Sequence, residues 1–288
     1  MRQIFWTLIA VCGAGFGAFA GDAQHDTIIR NGLIYDGSGG LPYRGDISID
    51  ADRISYAGKR APGRGRTEVD AQGKAVAPGF INMLAHPEES LLTDGRALSD
   101  LKQGVTLEVL GEDSMGPLTP KMQQLMTQRQ SEIHYAVDWT TLGEYLSKLE
   151  KRGIAPNVAS FVGAGTVRTN LLDEADVQPS EEQLQAMRAL VDQAMQEGAL
   201  GVTTALIYSP NGYAKTPELI ALARESARCG GIYIAHMRSE GDRILEAVQE
   251  TIDIAKGSGA PAEIYHLKLA GKSNWQKIDA VIARIEAA

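Results

Sequence analysis

The 288-residue sequence predicts an α/β fold in which helices connect the strands of a parallel sheet. From Ala75 onward, short apolar runs of strand length alternate with amphipathic helical patterns. The alternation is clearest where the runs Ile232–Ala235 and Ala262–Tyr265 flank a helical repeat over Arg243–Gly257. Strands joined by helical crossovers run parallel, so their carboxyl ends meet at one edge of the sheet, where ligands bind.

The first 20 residues predict a secretory signal peptide. Arg2 supplies the positive start, Ile4–Ala20 is apolar, and Ala18–Ala20 is a small-x-small cleavage site. We therefore expect a secreted or periplasmic protein with no stable membrane association after cleavage. Two alternatives stay open: an uncleaved anchor of roughly 17 apolar residues, which is short for a membrane span, and a lipoprotein modified at Cys12, which bulky Val11 disfavours.

Residues 21–75 predict a small β domain. The segment from Asp26 to Ala77 consists of short alternating strands separated by glycine-rich turns. The basic, Gly/Pro-rich stretch Lys59–Arg66 is expected to be a solvated loop. The predicted strands are Thr27–Ile29, Leu33–Tyr35, Asp46–Ile49 and Ile54–Ala57.

Residues 76–288 predict the α/β domain. Ser180 and Gln183 form a capping box, which marks the start of one of its helices. The predicted strands are Ala75–Leu84, Val105–Leu110, Asn157–Val162, Ala199–Leu206, Ile232–Ala235 and Ala262–Tyr265. The predicted helices are Thr141–Arg152, Ser180–Glu197, Pro217–Cys229, Arg243–Gly257 and Trp275–Ala288.

Charge and cysteine content restrict the class of partner and the compartment. The net charge of −8 and the pI near 5.2 argue against nucleic acid as a partner. Once the signal peptide is removed, Cys229 is the one remaining cysteine, so no intrachain disulfide can form. An exported chain without disulfides is compatible with a bacterial periplasm or the cell exterior.

Two histidines end neighbouring predicted strands and indicate a metal site. His236 follows Ile232–Ala235, and His266 follows Ala262–Tyr265. Neutral imidazoles that converge from adjacent strands are typical ligands of a transition metal, most often zinc. Two histidines make half a metal site, so the alternative of two unrelated polar strand ends stays open at this point.

Several motifs along the chain resemble one family. The segment Ile29–Gly40 resembles the small β domain of the amidohydrolase superfamily, and Val76–Asn82 resembles its first barrel strand. The motifs Gln103–Thr106, Asn157–Gly163, Glu197–Gly201, Leu206–Tyr208 and His236–Gly241 are similar to those of its N-acyl-D-amino-acid deacylase (D-aminoacylase) branch. The resemblance runs from about Asp26 to the end of the sequence.

This resemblance implies a fold and a chemistry. The fold would be a (β/α)8 TIM-type barrel, incomplete here with about six βα units, preceded by part of a small β domain. The activity would be metal-dependent hydrolysis of non-peptide carbon–nitrogen bonds, with one zinc ion as cofactor and an N-acyl-D-amino acid or a related compound as substrate. The family's general-base aspartate would lie beyond Ala288.

Position by position, the resemblance implies a set of metal ligands. His236 and His266 match the histidines that hold the tightly bound zinc, whereas the family's His-x-His pair falls on Leu84 and His86. The family's cysteine ligand falls on Asp113. Aspartate can ligate zinc, and the adjacent Glu112 is the alternative.

The resemblance also implies a substrate pocket. Tyr208 and Lys268 match positions that bind the substrate carboxylate, for which a phenol hydroxyl and an ammonium are suitable donors. The expected partner is therefore a small molecule with a free carboxylate. Leu84 and Asp113 favour two alternatives to an enzyme: a non-catalytic amidohydrolase-like binding protein, or an inactive fragment of a longer protein.

Overall fold

The computed structural model describes residues 24–288, so the predicted signal peptide at residues 1–20 lies outside the described residues. The chain divides into two compact units. The first unit ends at Pro78, and the second unit is Gly79–Ala288. Within residues 24–288, no helix has both the length and the apolar character needed to cross a membrane.

The first unit is a five-stranded sheet with the order β3-β2-β1-β4, in which β5 also pairs with β1. Strand β1 is antiparallel to β2 and parallel to β4 and β5. The strands are β1 (Gln24–Ile34), β2 (Tyr43–Asp50), β3 (Arg53–Gly58), β4 (Arg64–Asp70) and β5 (Ala75–Val76).

Two strand predictions in this unit were wrong. The two short strands predicted between Thr27 and Tyr35 form one strand, β1, which is interrupted by a register shift between Ile29 and Gly32. Strand β4 begins inside the predicted loop Lys59–Arg66. Most of β4 is exposed and it carries charged side chains, so it lacks the alternation of apolar residues that identifies a strand.

Parallel strands form the second unit, as predicted. They make up one sheet of order β6-β7-β8 and a second of order β12-β11-β10-β9, and all neighbouring pairs in both are parallel. The strands are β6 (Phe80–Ala85), β7 (Val105–Leu110), β8 (Asn157–Ser160), β9 (Val162–Gly163), β10 (Gly201–Ala205), β11 (Ile232–His236) and β12 (Ala262–Ile264).

Two predicted strands are divided in the structure. The segment Ala75–Leu84 splits at Pro78, because Ala75–Val76 pairs with β1 while β6 pairs with β7. Proline has no amide hydrogen to donate to a strand. The segment Asn157–Val162 divides at Phe161, whose amide donates to the carbonyl of Leu110 at 3.1 Å.

Helices connect these strands. The capping box of α5 is confirmed, because Ser180 Oγ accepts from the Gln183 amide and Gln183 Oε1 accepts from the Ser180 amide. The predicted helix at Trp275 starts as a 3-10 helix, Lys272–Lys277, before α8. The helices are α1 (Leu98–Leu101), α2 (Pro120–Arg129), α3 (Leu142–Arg152), α4 (Ala164–Leu172), α5 (Glu181–Gln196), α6 (Thr216–Arg228), α7 (Ile244–Ser258) and α8 (Ile278–Glu286).

A small apolar cluster brings the end of β7 close to the end of β12. Val109, Phe161, Ile234 and Tyr265 are buried together, and they come from four different places along the two sheets. Gly111 allows this approach, because a Cβ atom at that position would lie 2.2 Å from the hydroxyl of Tyr265. The residues that follow β7 and β12 can therefore meet.

Candidate metal centre

Three strand ends position the residues of the site. His236 is the last residue of β11 and is 6% exposed, and its carbonyl accepts a hydrogen bond from the Leu206 amide at 3.0 Å. His266 lies two residues after β12, where the Tyr265 amide donates to the carbonyl of Ala235 at 3.0 Å. Glu112 lies two residues after β7. Each side chain is thus fixed by the backbone of a parallel strand.

Glu112, His236 and His266 form the candidate metal centre. Their potential ligand atoms all lie within 4.8 Å of one another, and among residues 24–288 this is the one group of at least three such side chains that meets this distance. Glu112 Oε1 is 2.7 Å from Nδ1 of His236 and 3.2 Å from Nε2 of His266. Two imidazoles and one carboxylate are the ligand set of many catalytic zinc sites.

The charge of Glu112 fits a cation. Burial acts to raise the pKa of this carboxyl, but the contacts with His236 and His266 outweigh burial and hold the pKa below its ordinary value. Glu112 is therefore ionised at neutral pH and has a carboxylate oxygen to offer as a ligand.

The backbone at two of these residues is strained. Glu112 has φ of 62° and His266 has φ of 31°, both in the left-handed region that residues other than glycine seldom adopt. Such strain costs on the order of 1–3 kcal/mol per residue, and it concentrates at functional sites. Its presence at two of the three clustered residues supports a functional role for the cluster.

Histidine hydrogen bonding provides a test of whether a metal fits. Nε2 of His236 is buried and has no hydrogen-bond partner within residues 24–288, while Nδ1 faces Glu112. Histidine that binds a metal uses one nitrogen for the metal and directs the other N–H to an outer acceptor. Glu240 Oε1 lies on that outer side, 3.8 Å from Nε2. That distance is too long for a hydrogen bond, so the fit to a zinc ion rests on the opposite side, where the Glu112 carboxylate meets one nitrogen of each imidazole.

Asp113 and His86 lie outside this cluster. Although Asp113 was predicted at the position of the family's cysteine ligand, its Oδ1 accepts a hydrogen bond from Asn211 Nδ2 at 3.1 Å. His86 is exposed, one residue after the end of β6. Leu84 packs against the small apolar cluster of Val109, Phe161, Ile234 and Tyr265. Of the two alternatives Glu112 and Asp113, the geometry selects Glu112.

The two predicted substrate-binding residues border the cluster. The ring of Tyr208 meets the ring of His236 edge-on with centroids 5.3 Å apart, and Tyr208 is 57% exposed. Lys268 Nζ is 3.0 Å from Nδ1 of His266 and also donates to Glu240 Oε1. A phenol and an ammonium group therefore lie on the solvent side of the clustered ligands.

Glu240 contacts the cluster and Arg238 holds a neighbouring loop, although no role for either residue was predicted from the sequence. Glu240 contacts both Lys268 and His266. Arg238 binds the carboxylate of Glu250 with two nitrogens and donates to the carbonyls of Gly212 and Ala214. Arg238 thereby anchors the loop that follows Tyr208. The signal in the sequence was the polar spacing after His236, with ionisable residues two and four positions later.

Known proteins match this chain. D-Aminoacylase from Alcaligenes xylosoxydans xylosoxydans is 33% identical over 269 residues, which are 91% of this chain and 54% of the relative. N-acyl-D-aspartate deacylase from the same organism is 34% identical over 257 residues, which are 88% of this chain and 51% of the relative. No protein-family profile matches the chain.

Solved structures of the same type share the fold. A D-aminoacylase described as defining a novel subset of amidohydrolases superposes with a TM-score of 0.81 at 30% identity, covering 91% of this chain and 56% of that one. N-acyl-D-glutamate deacylase from Bordetella bronchiseptica, complexed with zinc and a phosphonate inhibitor, gives a TM-score of 0.76 at 28% identity, with 92% and 56% coverage.

The chain spans about half the length of the relatives it matches. Homologous structures contain metal centres, including zinc. The resemblance predicted from the motifs is confirmed: this chain is a homologue of the N-acyl-D-amino-acid deacylases among the amidohydrolases.

Proposed function

We propose that the protein is a zinc-dependent hydrolase that removes the acyl group from N-acyl-D-amino acids or closely related compounds. The convergence of Glu112, His236 and His266 is the observation that carries this proposal. The names of the homologous deacylases supply the substrate class.

Glu112, His236 and His266 would hold the zinc ion through one carboxylate oxygen and two imidazole nitrogens. Bound zinc supplies Lewis-acid polarisation of a carbonyl and a lowered pKa for water. The chain's own side chains then orient the substrate. The Lys268 ammonium and the Tyr208 hydroxyl would bind the carboxylate of the acylated amino acid.

Three further features complete the proposal. The parallel strands β6 to β12 would belong to a (β/α)8 barrel, which is supported by their order and by the superposition on D-aminoacylase. Residues 1–20 would direct export to the periplasm or the exterior. The partner would be a small carboxylate-bearing molecule rather than nucleic acid, as the net charge of −8 favours.

Metal content provides the first test. Freshly purified full-length protein should contain close to one tightly held zinc ion per chain, as determined by elemental analysis. Glu112→Ala should remove most of this zinc, whereas Asp113→Ala, which changes the neighbouring carboxylate, should leave it largely in place. Wild-type protein without bound metal would refute the proposal. If Asp113→Ala lost its zinc while Glu112→Ala kept it, the third ligand would be Asp113 instead of Glu112.

Substrate preference provides the second test. Lys268→Met should raise KM for N-acetyl-D-amino acids by about 10-fold or more, because an ammonium–carboxylate contact is lost. The corresponding amides lack that carboxylate, so their KM should change little. Equal effects on acids and amides would remove Lys268 from the substrate pocket.

A non-catalytic relative is the second candidate function. The observation that favours it is Leu84, which places an apolar side chain where the family has a histidine and packs it against the small apolar cluster. A binding protein of this kind would retain zinc and bind N-acyl-D-amino acids without hydrolysing them. Calorimetric titration of the substrate, combined with product analysis, separates the two functions.

A further inference from the structure

Glu240 faces both histidines of the metal centre from the side opposite Glu112. Its Oε1 lies 3.1 Å from Nδ1 of His266 and 3.8 Å from Nε2 of His236. The same oxygen accepts a hydrogen bond from Lys268 Nζ. Each imidazole therefore presents one nitrogen to Glu112 and the other to Glu240.

Glu240 is itself held in place. It is 8% exposed, and its carbonyl accepts a hydrogen bond from the Ala270 amide at 2.7 Å. This bond connects the loop after β11 to the loop that carries His266 and Lys268. A buried carboxylate with a fixed backbone is suited to orienting neighbouring donors.

The contacts of His266 present a conflict between two tautomers. If Nδ1 carries the proton, it donates to Glu240, and Nε2 has a lone pair directed toward Glu112 and the metal. If Lys268 Nζ donates to Nδ1 across their 3.0 Å separation, the proton must lie on Nε2. In that second arrangement, the nitrogen that faces the metal has no lone pair to give.

We propose that Glu240 is a positioning residue that resolves this conflict in favour of metal binding. It accepts the Lys268 ammonium and the Nδ1–H of His266, which leaves Nε2 of His266 available as a ligand. It also offers the nearest carboxylate to the Nε2–H of His236. The Glu240 carboxylate thus orients the imidazole of His266 for metal binding and also holds the Lys268 ammonium, which is proposed to bind the substrate. This inference rests on the proposed metal site.

Zinc affinity and histidine tautomer test the inference in the full-length protein. Glu240→Ala should weaken zinc binding by about 10- to 100-fold, as measured by chelator competition, because outer carboxylates contribute on that scale. Glu240→Gln keeps an acceptor oxygen and should lose less than Glu240→Ala. Glu263→Ala removes an exposed glutamate from β12 and serves as the matched control, with no expected change.

The conflict with Lys268 predicts a specific coupling. Lys268→Met should restore more zinc affinity in the Glu240→Ala background than it adds to the otherwise wild-type protein, because the competing donor is then absent. In 15N spectra of the metal-free proteins at one fixed pH, the fraction of His266 with its proton on Nδ1 should be lower in Glu240→Ala than in the wild type, because Glu112 and Lys268 then both favour the Nε2–H tautomer. Removal of Lys268 in the double variant should raise this fraction again.

Several results would overturn the inference. These are an unchanged zinc affinity in Glu240→Ala, equal losses in folded Glu240→Ala and Glu240→Gln, or a fraction of Nδ1–H tautomer of His266 that is no lower in Glu240→Ala than in the wild type. Failure of the wild-type protein to bind zinc would instead refute the proposed function. In that event, the tautomer of His266 in the wild type and in Glu240→Ala would still decide the inference about Glu240.

Discussion

The end of β11 and the end of β6 differ in how the fold holds a histidine. Strand β11 pairs with β10 on one side and β12 on the other, and His236 at its end is 6% exposed. Within the described residues, β6 pairs with β7 alone, and His86 after it is exposed. The apolar residues Phe80, Ile81 and Met83 of β6 are 62%, 56% and 41% exposed.

This difference shows one way in which the fold fixes the position of a candidate ligand. A strand with two neighbours fixes its backbone through hydrogen bonds on both sides, so a side chain at its end has a defined position. An edge strand constrains its terminal residues less. Glu112 and His236 follow β7 and β11, which pair on both sides. His266 follows β12, which within residues 24–288 pairs with β11 alone, but Glu112 and Glu240 contact its two ring nitrogens.

The largest expected effect distinguishes the two histidines directly. His236→Ala should weaken zinc binding by more than about 100-fold, because it removes a nitrogen from the metal centre and leaves Glu112 beside a cavity. His86→Ala should change zinc affinity by less than about 3-fold. Chelator competition on the full-length protein measures both values. A comparable loss in His86→Ala would mean that the end of β6 contributes a ligand after all.

The histidine pair could be predicted from the sequence, but the third member of the cluster could not be assigned. His236 and His266 each end an apolar run of strand length, so the parallel-sheet prediction alone brings them to one edge. Glu112 and Asp113 are adjacent carboxylates in a loop, and no periodicity indicates which one points inward. The left-handed backbone at Glu112 decides the direction of its side chain, and backbone angles of this kind are not visible in the sequence.

Glu240 and β4 show two other limits of prediction from sequence. Glu240 acquires its role from contacts with residues 26 to 28 positions away along the chain, which no local pattern encodes. Strand β4 is hidden because an exposed edge strand needs no alternation of apolar residues. Five of the eight helices within residues 24–288, α3 and α5 to α8, were predicted to within a few residues, since capping and helical spacing are local, whereas α1, α2 and α4 were not predicted. Ser180 at the start of α5 is the clearest case.

The second prediction compares an isoleucine on β11 with an isoleucine on β6. Ile234 of β11 is 2% exposed and belongs to the small apolar cluster, whereas Ile81 of β6 is 56% exposed. Ile234→Ala should lower the free energy of unfolding by about 2–5 kcal/mol, because it leaves a cavity in packed surroundings. Ile81→Ala should cost less than about 1 kcal/mol.

Urea unfolding of both variants at one pH measures this difference. The same substitution on the same type of secondary structure makes each variant the control for the other. Equal costs would indicate that the exposed face of Ile81 is covered in solution, for example by association with another molecule, and the contrast between the two strands would then fail.

The smallest expected effect concerns the ionisation of acids in the two regions. Beside β11 and β12, the histidine contacts keep the pKa of Glu112 low. In the loop after β6, burial raises the pKa of Glu88 to about 7, and the nearby charges of Glu89 and Glu108 add to this. Glu112 is thus ionised at neutral pH, whereas Glu88 is about half protonated there.

The sign of the resulting pH dependence follows from linkage. The pKa of Glu88 is higher in the folded state than in the unfolded chain, so its contribution to stability is fully present below about pH 4.5 and is lost as pH rises through about 7. Glutamine stays neutral at every pH. Relative to wild type, Glu88→Gln should therefore gain about 1–2 kcal/mol of stability as the pH rises from 5 to 8, since partial contact with water reduces the full effect.

Urea unfolding at pH 5 and pH 8 measures this gain. Glu246→Gln, at an exposed position on α7, is the control and should show no gain. If the stability of Glu88→Gln had the same pH dependence as that of the wild type, the Glu88 carboxyl would be in contact with water. The two strand ends would then not differ in the way that the pKa values of Glu88 and Glu112 indicate.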